Sequence, residues 1–220
     1  MFKDEFCHIS TSDALEGLEV INAQFTDTTF GKHAHAEYVI SVVDEGIKQF
    51  HHKGETHNAF KGDISIISPD ELHTGSKGNG EGWRYRAIYP SESQIIRIYH
   101  DVFAKEGLPT FKQSVIKDER LSRQMQMLLV KLGSGAESLD LEIHWELLLV
   151  KLLQKHTHQR GHSELVLSKA QANIALARDY LADHFQQKVS LDDVAQQVGI
   201  SKFHLIKEFK RCYQLTPHQY

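Results

Sequence analysis

The hydrophobic residues of this chain change their spacing near residue 90, and this change constrains the fold more than any other feature. Between residues 18 and 89, apolar residues form short or alternating runs that are separated by turns containing Gly or Asp. Such runs at intervals of about 8–12 residues are typical of a β-sandwich or barrel. After residue 90, apolar residues recur every three or four positions, which is the period of a helix. The chain is therefore predicted to be an α+β protein whose strands come first.

The predicted strands cover residues 18–25, 38–43, 48–52, 63–67 and 85–89. Gly and Pro mark the turns, because Gly permits positive φ and Pro presets φ. These turns are Asp44-Glu-Gly46, His52-Lys-Gly54, Lys61-Gly-Asp63 and Ser68-Pro-Asp70. Residues 75–82 are polar and rich in Gly, and we expect a loop there. In the turn-rich hairpin, we expect three histidines to face solvent: His51, His52 and His57.

Three amphipathic helices are predicted over residues 91–104, 118–132 and 138–156. The third is apolar on more than one face. Its extra apolar surface either packs inside this chain or contacts a second subunit, and the spacing leaves both open. Residues 156–164 are polar and include Gly161, which is typical of a linker.

Composition excludes several classes of protein. The 220 residues carry 25 Lys+Arg against 29 Asp+Glu, a formal net charge of −4, so the surface is not uniformly basic. No apolar run approaches the ~18 residues of a membrane span, and the N-terminus lacks the apolar core of a signal peptide. Cys7 and Cys212 have neither disulfide nor zinc-site spacing. We expect a cytoplasmic protein without membrane contact.

The segment from residue 190 to residue 210 has the cap and turn residues of a helix–turn–helix. Ser190 and Ser201 are placed to cap two helices, and Gly199 is placed to end the first of them. Leu205 and Phe209 would point into the core. The remaining face is predicted to point outward and suits the major groove of DNA, where apolar groups meet thymine methyls and lysines meet phosphate or guanine. That face comprises Phe203, Ile206, Lys207 and Lys210. The alternative is an ordinary helical hairpin with an Ala-x3-Gly turn. Such a hairpin would not be expected to have the Ala, the Gly and the capping residues all at helix–turn–helix spacing.

Two motifs of this segment resemble a known family. Ser201-Lys-x-His-Leu-x-x-x-Phe-Lys210, followed by Pro217-x-x-Tyr220, resembles the first helix–turn–helix of AraC/XylS-type transcription regulators. Tyr180-Leu-x-x-His-Phe185 resembles the helix that precedes it. The resemblance implies that Phe203, Ile206 and Lys207 contact bases of operator DNA, and that Ser201, Lys202 and Lys210 lie near phosphates. Such domains carry a second unit that this chain does not include, so we expect this chain to bind DNA weakly.

Residues 30–38 contain the densest cluster of metal-ligating side chains among the 15 histidines. On a strand, His33, His35 and Glu37 would share one face, and His73 could join them from a neighbouring strand. Three imidazoles and one carboxylate could hold zinc, iron, manganese or nickel.

The same region resembles the cupin-type effector-binding domain of AraC-type regulators, through Lys61-Gly-Asp-Ile-x-Ile-Ile-x-Pro-Asp-Glu-Leu-His73 and Gly82-Trp-Arg-Tyr-Arg86. Metal-binding cupins place their Glu three or four residues after His-x-His, whereas only Ala36 intervenes here. We therefore expect a small effector and no metal cofactor. Alternation allows either Arg84 and Arg86 or Trp83 and Tyr85 to point inward, and an inward Arg would suit an anionic effector. The predicted effector contacts are His33, His35, Glu37, Tyr38, His73, Arg84 and Arg86.

Together these observations predict a cupin-like β-barrel of double-stranded β-helix type over residues 1–110. A helical dimerisation and linker region would cover residues 111–164, and the first helix–turn–helix unit would cover residues 165–220. The expected protein is a homodimeric, effector-responsive transcription regulator that is not an enzyme. The alternative is a metal-dependent cupin dioxygenase or isomerase that uses His33, His35, Glu37 and His73. A third possibility is a short product that sequesters effector or forms mixed dimers without binding DNA.

Overall fold

The computed structural model describes residue 2 and residues 4–158 and 167–220, with side chains in the last range from residue 173. The strands are β1 Phe6–Ser12, β2 Leu18–Phe25, β3 Phe30–His33, β4 Val39–His52, β5 Glu55–Phe60, β6 Ile64–Ile67, β7 His73–Lys77, β8 Trp83–Tyr89 and β9 Val115–Ile116. The helices are α1 Glu92–Phe103, α2 Glu119–Ser134, α3 Ser138–His156, α4 Leu167–Asp183, α5 Leu191–Val198 and α6 Lys202–Tyr213. A single turn of 3-10 helix, Asp13–Leu15, lies between β1 and β2. The predicted order of strands before helices is confirmed except for β9, a strand of two residues that follows α1.

Strand β4 organises the sheet because it belongs to two layers. Its first half pairs with β6 and β8, and its second half pairs with β5 and β7. The strand bends at a bulge between Val43 and Glu45, followed by Gly46 at a φ of 76°. A Cβ on Gly46 would lie 2.0 Å from the carbonyl oxygen of Gly82, so only glycine lets β4 approach β8 here.

This bend corrects the predicted turn at Asp44–Gly46. The two runs at residues 38–43 and 48–52 are one continuous strand, because a bulge redirects a strand without ending its ladder.

The first layer runs in the order β1-β2-β8-β4-β6-β9, and β3, β7 and β5 form the second layer around the far half of β4. Strands β1 and β9 lie at the two ends of that order, so the sheet curls without closing. The loop predicted over residues 75–82 is wrong in its first part, since β7 extends to Lys77 and pairs with both β3 and β4.

Alternation along the strands separates two apolar surfaces. Residues facing the space between the layers, here called the interior, form one buried cluster that includes Phe50 of the second layer and Trp83 of the first. Ile40 and Ile88 face the other side and join the cluster built by α1, α2 and α3. Helices therefore cover the outer face of the first layer, while the interior stays between strands.

Helix α3 is buried on two sides within its own chain. Leu148 and Leu152 join the cluster beneath the sheet, whereas Leu139 and Ile143 join the core of α4, α5 and α6. This double burial accounts for the excess of apolar residues on α3 without a second subunit. No helix among the described residues is long and apolar enough to cross a membrane.

Helices α5 and α6 form the helix–turn–helix that the sequence predicts. Ser190 caps α5 in a capping box with Asp193, Gly199 ends α5 at a φ of 65°, and Ser201 caps α6. The predicted recognition helix over residues 202–213 is confirmed as α6. The linker predicted over residues 156–164 lies largely outside the described residues.

Candidate effector site and nucleic-acid interface

Three of the predicted site histidines come together at the edge of the interior. His33 and His73 are direct partners across β3 and β7, and His35 lies two residues beyond the end of β3. One ring nitrogen from each lies within 4.8 Å of the others. Glu37 is exposed and is not part of this group, because the strand ends at His33 and period-two alternation no longer applies.

Backbone carbonyls orient two of these rings. His33 Nδ1 lies 2.8 Å from the carbonyl oxygen of Gly31, and His73 Nδ1 lies 3.0 Å from that of Glu71. In each ring Nδ1–H donates to the carbonyl oxygen, and a neutral His73 keeps Nε2 as an acceptor. Burial lowers the pKa of His73 to about 4 and also lowers the pKa of His35, so both rings are neutral at pH 7.

The three rings supply only part of the predicted metal-ligand set. Ligand nitrogens on a tetrahedral metal lie roughly 3.3 Å apart when the bonds are about 2.0–2.1 Å long, and the ring nitrogens here lie within 4.8 Å of one another, so the distances alone do not exclude a cation. No carboxylate of the described residues joins the cluster. The positive charge of Lys48 is also near enough to lower the pKa of both His35 and His73, and it would repel a metal ion.

Lys48 is the residue that the sequence interpretation missed. Its Nζ donates to Ser41 Oγ at 2.9 Å and to Ser65 Oγ at 3.0 Å. Nζ also lies 4.9 Å from the centre of the Tyr85 ring and 5.5 Å from that of Phe50. Burial lowers the pKa of Lys48 to about 8. The sequence feature that could have predicted its inward position is its place two residues before the apolar Phe50, because residues two apart lie on one face of a strand.

On β8, the aromatic side chains face the interior and the arginines face outward. Trp83 and Tyr85 pack with the interior cluster, whereas Arg86 pairs with Asp44 at 2.7 and 2.8 Å. Arg84 lies 3.8 Å from Glu45, on the same outward side as Arg86.

Tyr38 also lies away from the interior. It is fully buried in the cluster beneath the helices, and its hydroxyl donates to the carbonyl oxygen of Pro109 at 3.4 Å. The structure therefore gathers His33, His35 and His73, but not Glu37, Tyr38, Arg84 or Arg86.

His52 was expected to face solvent, but this is wrong, since its exposed fraction is 1%. Its Nε2 lies 2.9 Å from Glu71 and its Nδ1 lies 2.9 Å from the Ser114 hydroxyl. Nε2–H donating to the carboxylate leaves Nδ1 to accept from Ser114. His52 thus ties the end of β4 to the segment that leads into β9.

The predicted DNA-contacting face of α6 is largely covered. Lys207 and Lys210 are exposed, whereas Lys202, Phe203 and Ile206 are 8%, 8% and 1% exposed. The expectation that Phe203 and Ile206 point outward is wrong for the folded chain. Phe203 joins the core beneath the sheet, and Ile206 joins the cluster that contains Leu139 and Ile143 of α3. An apolar face buries itself when another apolar face lies within reach.

Charge complementarity reinforces this contact. Lys202 Nζ lies 3.3 Å from Glu16, 3.4 Å from Asp192 and 3.6 Å from Glu142. Beside this group, Arg97 pairs with the buried Glu146 at 2.7 Å. Burial raises the pKa of both Glu142 and Glu146.

Comparison with known proteins identifies both parts of the chain. A family model of the AraC-like ligand-binding domain matches residues 17–149. A model of bacterial regulatory helix–turn–helix proteins of the AraC family matches residues 181–220. The chain belongs to the AraC family. It is a ligand-responsive, DNA-binding transcription regulator, and these matches support that function over the metal-dependent enzyme.

Two bacterial proteins resemble the AraC-family chain over most of its length. The uncharacterized HTH-type transcriptional regulator YbfI of Bacillus subtilis (strain 168) is 22% identical over 191 residues, covering 87% of this chain and 69% of that protein. The lactose operon transcription activator of Staphylococcus xylosus is 22% identical over 206 residues, covering 91% of this chain and 70% of that protein.

Solved structures share weak similarity with part of the chain. A cupin-2 domain protein from Shewanella frigidimarina NCIMB 400 is 16% identical with a TM-score of 0.35, covering 40% of this chain and 84% of that one. The two-layered N-terminal β domain, which the model of the AraC-like ligand-binding domain matches, has the predicted cupin-like fold, and helices and a helix–turn–helix follow it.

Proposed function

We propose that this AraC-family regulator binds a small effector in the interior of its β domain and contacts operator DNA through α6. It acts in the cytoplasm, as a homodimer, and catalyses no reaction. The observation that carries the proposal is the docking of α6 on α1 and α3, the helices that also pack against the outer face of the effector-binding sheet.

DNA binding and docking compete for the same residues. The family resemblance assigns Phe203 and Ile206 to base contacts, but both are buried against the rest of the chain. Lys202, assigned to phosphate, is surrounded by three carboxylates. Entry of α6 into a major groove therefore requires that it leave α1 and α3. The folded arrangement is the DNA-free state of the regulator.

The effector controls this exchange if it binds the docked and undocked arrangements with different affinity. The sheet offers a direct mechanical route, because Ile40, Val42 and Ile88 touch the helices while their strand neighbours Ser41 and Ala87 face the interior. A change of curvature around an occupied interior would shift the surface on which α1 and α3 rest.

Helix α2 offers a surface for the homodimer. Met127 and Val130 are 53% and 61% exposed and lie three residues apart on one helix face. Contiguous exposed apolar surface marks interaction sites, and we assign the dimer contact to this pair because it lies in the predicted dimerisation region. The dimer would place two α6 helices on one operator, which raises affinity through effective concentration.

The experiment is a selection of operator DNA from random duplexes with the full chain, followed by titration of the selected duplex at several salt concentrations. Lys207 is exposed on α6, so Lys207→Ala is expected to weaken binding and to lower the slope of log K against log salt by about one. Lys61→Ala, an exposed lysine on the β domain, is the control and leaves both quantities unchanged. If Lys207→Ala and wild type bind DNA equally well, α6 does not contact DNA as proposed.

A further inference from the structure

Lys48 is a part-buried ammonium without a carboxylate partner among the described residues. No carboxylate of the described residues lies within 4.0 Å of its Nζ, in contrast to Lys202. Burying an unpaired charge is unfavourable, and an apolar side chain on this strand would give a more stable core. A neighbouring lysine on the same face, Lys77, has its own partner in Asp27 at 2.8 Å. Of these two lysines on one face, only Lys48 lacks a carboxylate partner among the described residues.

The hydrogen bonds around Lys48 leave donors unused. An ammonium has three protons, and two of them point to Ser41 and Ser65. The two hydroxyl oxygens lie 2.6 Å apart, so one hydroxyl proton bridges them. One ammonium proton and one hydroxyl proton remain. Two adjacent donors and one positive charge match the two oxygens and the single charge of a carboxylate.

A third donor lies in the same interior cluster. Trp83 is 1% exposed, and its Nε1 has no hydrogen-bond partner among the described residues. A buried N–H without a partner costs free energy unless a ligand accepts from it. The nearby rings of Phe25, Phe50 and Tyr85 supply an apolar wall for an organic group.

We infer that the effector of this regulator is a small organic carboxylate, whose carboxylate group is bound by Lys48, Ser41 and Ser65. The inference rests on the proposed binding of effector in the interior. A phosphate dianion fits less well, since its second charge would need a second cation, and the arginines of β8 face outward.

The test compares carboxylic acids with their primary amides, which have nearly the same shape and no charge. Acetate, benzoate and D-glucuronate are titrated into the full chain by calorimetry, each against acetamide, benzamide or D-glucuronamide. At least one acid is expected to bind about tenfold or more tightly than its amide, which is the size of a charge-assisted hydrogen-bond effect. That preference is expected to disappear in Lys48→Met and to shrink in Ser65→Ala. Lys77→Met, the matched control on the neighbouring strand, keeps it.

Folding of the variants is followed by thermal unfolding. Lys48→Met removes a part-buried, unpaired charge and is expected to unfold at the same temperature as wild type or higher, so that a loss of binding is caused by the change at the site. Equal binding of acid and amide, retention of the preference in Lys48→Met, or no binding of any acid overturns the inference. Amide binding that changes DNA affinity would overturn the carboxylate while leaving the proposed function intact. Acid binding through Lys48 without a change in DNA affinity would overturn the proposed function and leave the inferred carboxylate site intact.

Discussion

Lys202, at the start of the recognition helix, lies 3.3 Å from Glu16, which follows the 3-10 turn between β1 and β2. The two residues are separated by 186 positions in the chain. This ion pair joins the DNA-binding unit directly to the effector-binding domain. A regulator that holds its recognition helix in this way can change DNA affinity by weakening one interdomain contact.

The first prediction follows from that pair. Glu16→Gln keeps the size of the side chain, removes its charge and weakens docking, so DNA affinity is expected to rise by up to about fivefold, as expected for a half-exposed ion pair. Fluorescence anisotropy with the selected duplex measures it. Glu106→Gln, at an exposed position in the segment after α1, is the control and leaves the affinity unchanged. Unchanged or weaker binding by Glu16→Gln would show that docking does not compete with DNA.

The second prediction concerns the dimer. Val130→Asp places a charge on the exposed face of α2 and is expected to convert a dimer into monomers, with the free energy of unfolding changed by less than about 0.5 kcal/mol because the site is on the surface. Native mass spectrometry measures the mass. Leu72→Asp, similarly exposed but on the β domain, should leave a dimer. The wild-type dimer is expected without stoichiometric transition metal, and one metal per chain would contradict our interpretation of the histidine cluster.

The third prediction concerns the bend of β4. Gly46→Ala adds a Cβ that would lie 2.0 Å from the Gly82 carbonyl oxygen at a positive φ, and is expected to cost about 3 kcal/mol or more of stability. Gly107→Ala has a similar φ of 88° with nothing within 4 Å of the added Cβ, so only the cost of about 1 kcal/mol for the left-handed conformation applies. Urea unfolding of both variants separates backbone strain from steric clash. Equal losses would mean that the close approach of β4 and β8 is not required.

The fourth prediction concerns pH. The pKa of His73 is about 4 in the folded chain against 6.5 as a free side chain. Because the folded pKa is the lower one, the unfolded chain takes up the proton first. The stability contribution of neutral His73 is therefore complete above pH 6.5, is lost as the pH falls towards 4, and changes no further below it.

At pH 5 the expected loss from this histidine is about 1–2 kcal/mol relative to pH 7. Urea unfolding of wild type and His73→Gln at both pH values measures the difference between them. The variant should lose less stability than wild type on acidification. Parallel losses would show that His73 does not carry the effect.

Local signals in the sequence predicted most of the helical part. Ser190 and Ser201 cap the helices that they were expected to cap, and α3 and α6 have the predicted bounds. Capping depends on residues three positions apart, so a single sequence contains the information. The short strands β1, β5 and β9 were not predicted, because pairing with distant strands stabilises them more than their own residue pattern does.

The candidate site divides in the same way. The clustering of His33, His35 and His73 was predicted from turns and alternation, but Glu37 was wrongly grouped with them because strand β3 ends earlier than the pattern suggests. Lys48 looked like an ordinary polar residue of a half-exposed strand. Its surroundings, two hydroxyls and two aromatic rings instead of a carboxylate, are brought together by the pairing of strands. These groups belong to Ser41, Ser65, Phe50 and Tyr85.

The sequence by itself determined the order of strands and helices, the helix–turn–helix and the family, since all of these depend on short-range patterns. The tertiary structure alone decided which faces are exposed. Phe203 and Ile206 have the same spacing whether they meet DNA or α3, and their burial follows from an apolar partner far away in the chain. Burial is a property of pairs of surfaces, and local periodicity specifies only one member of each pair.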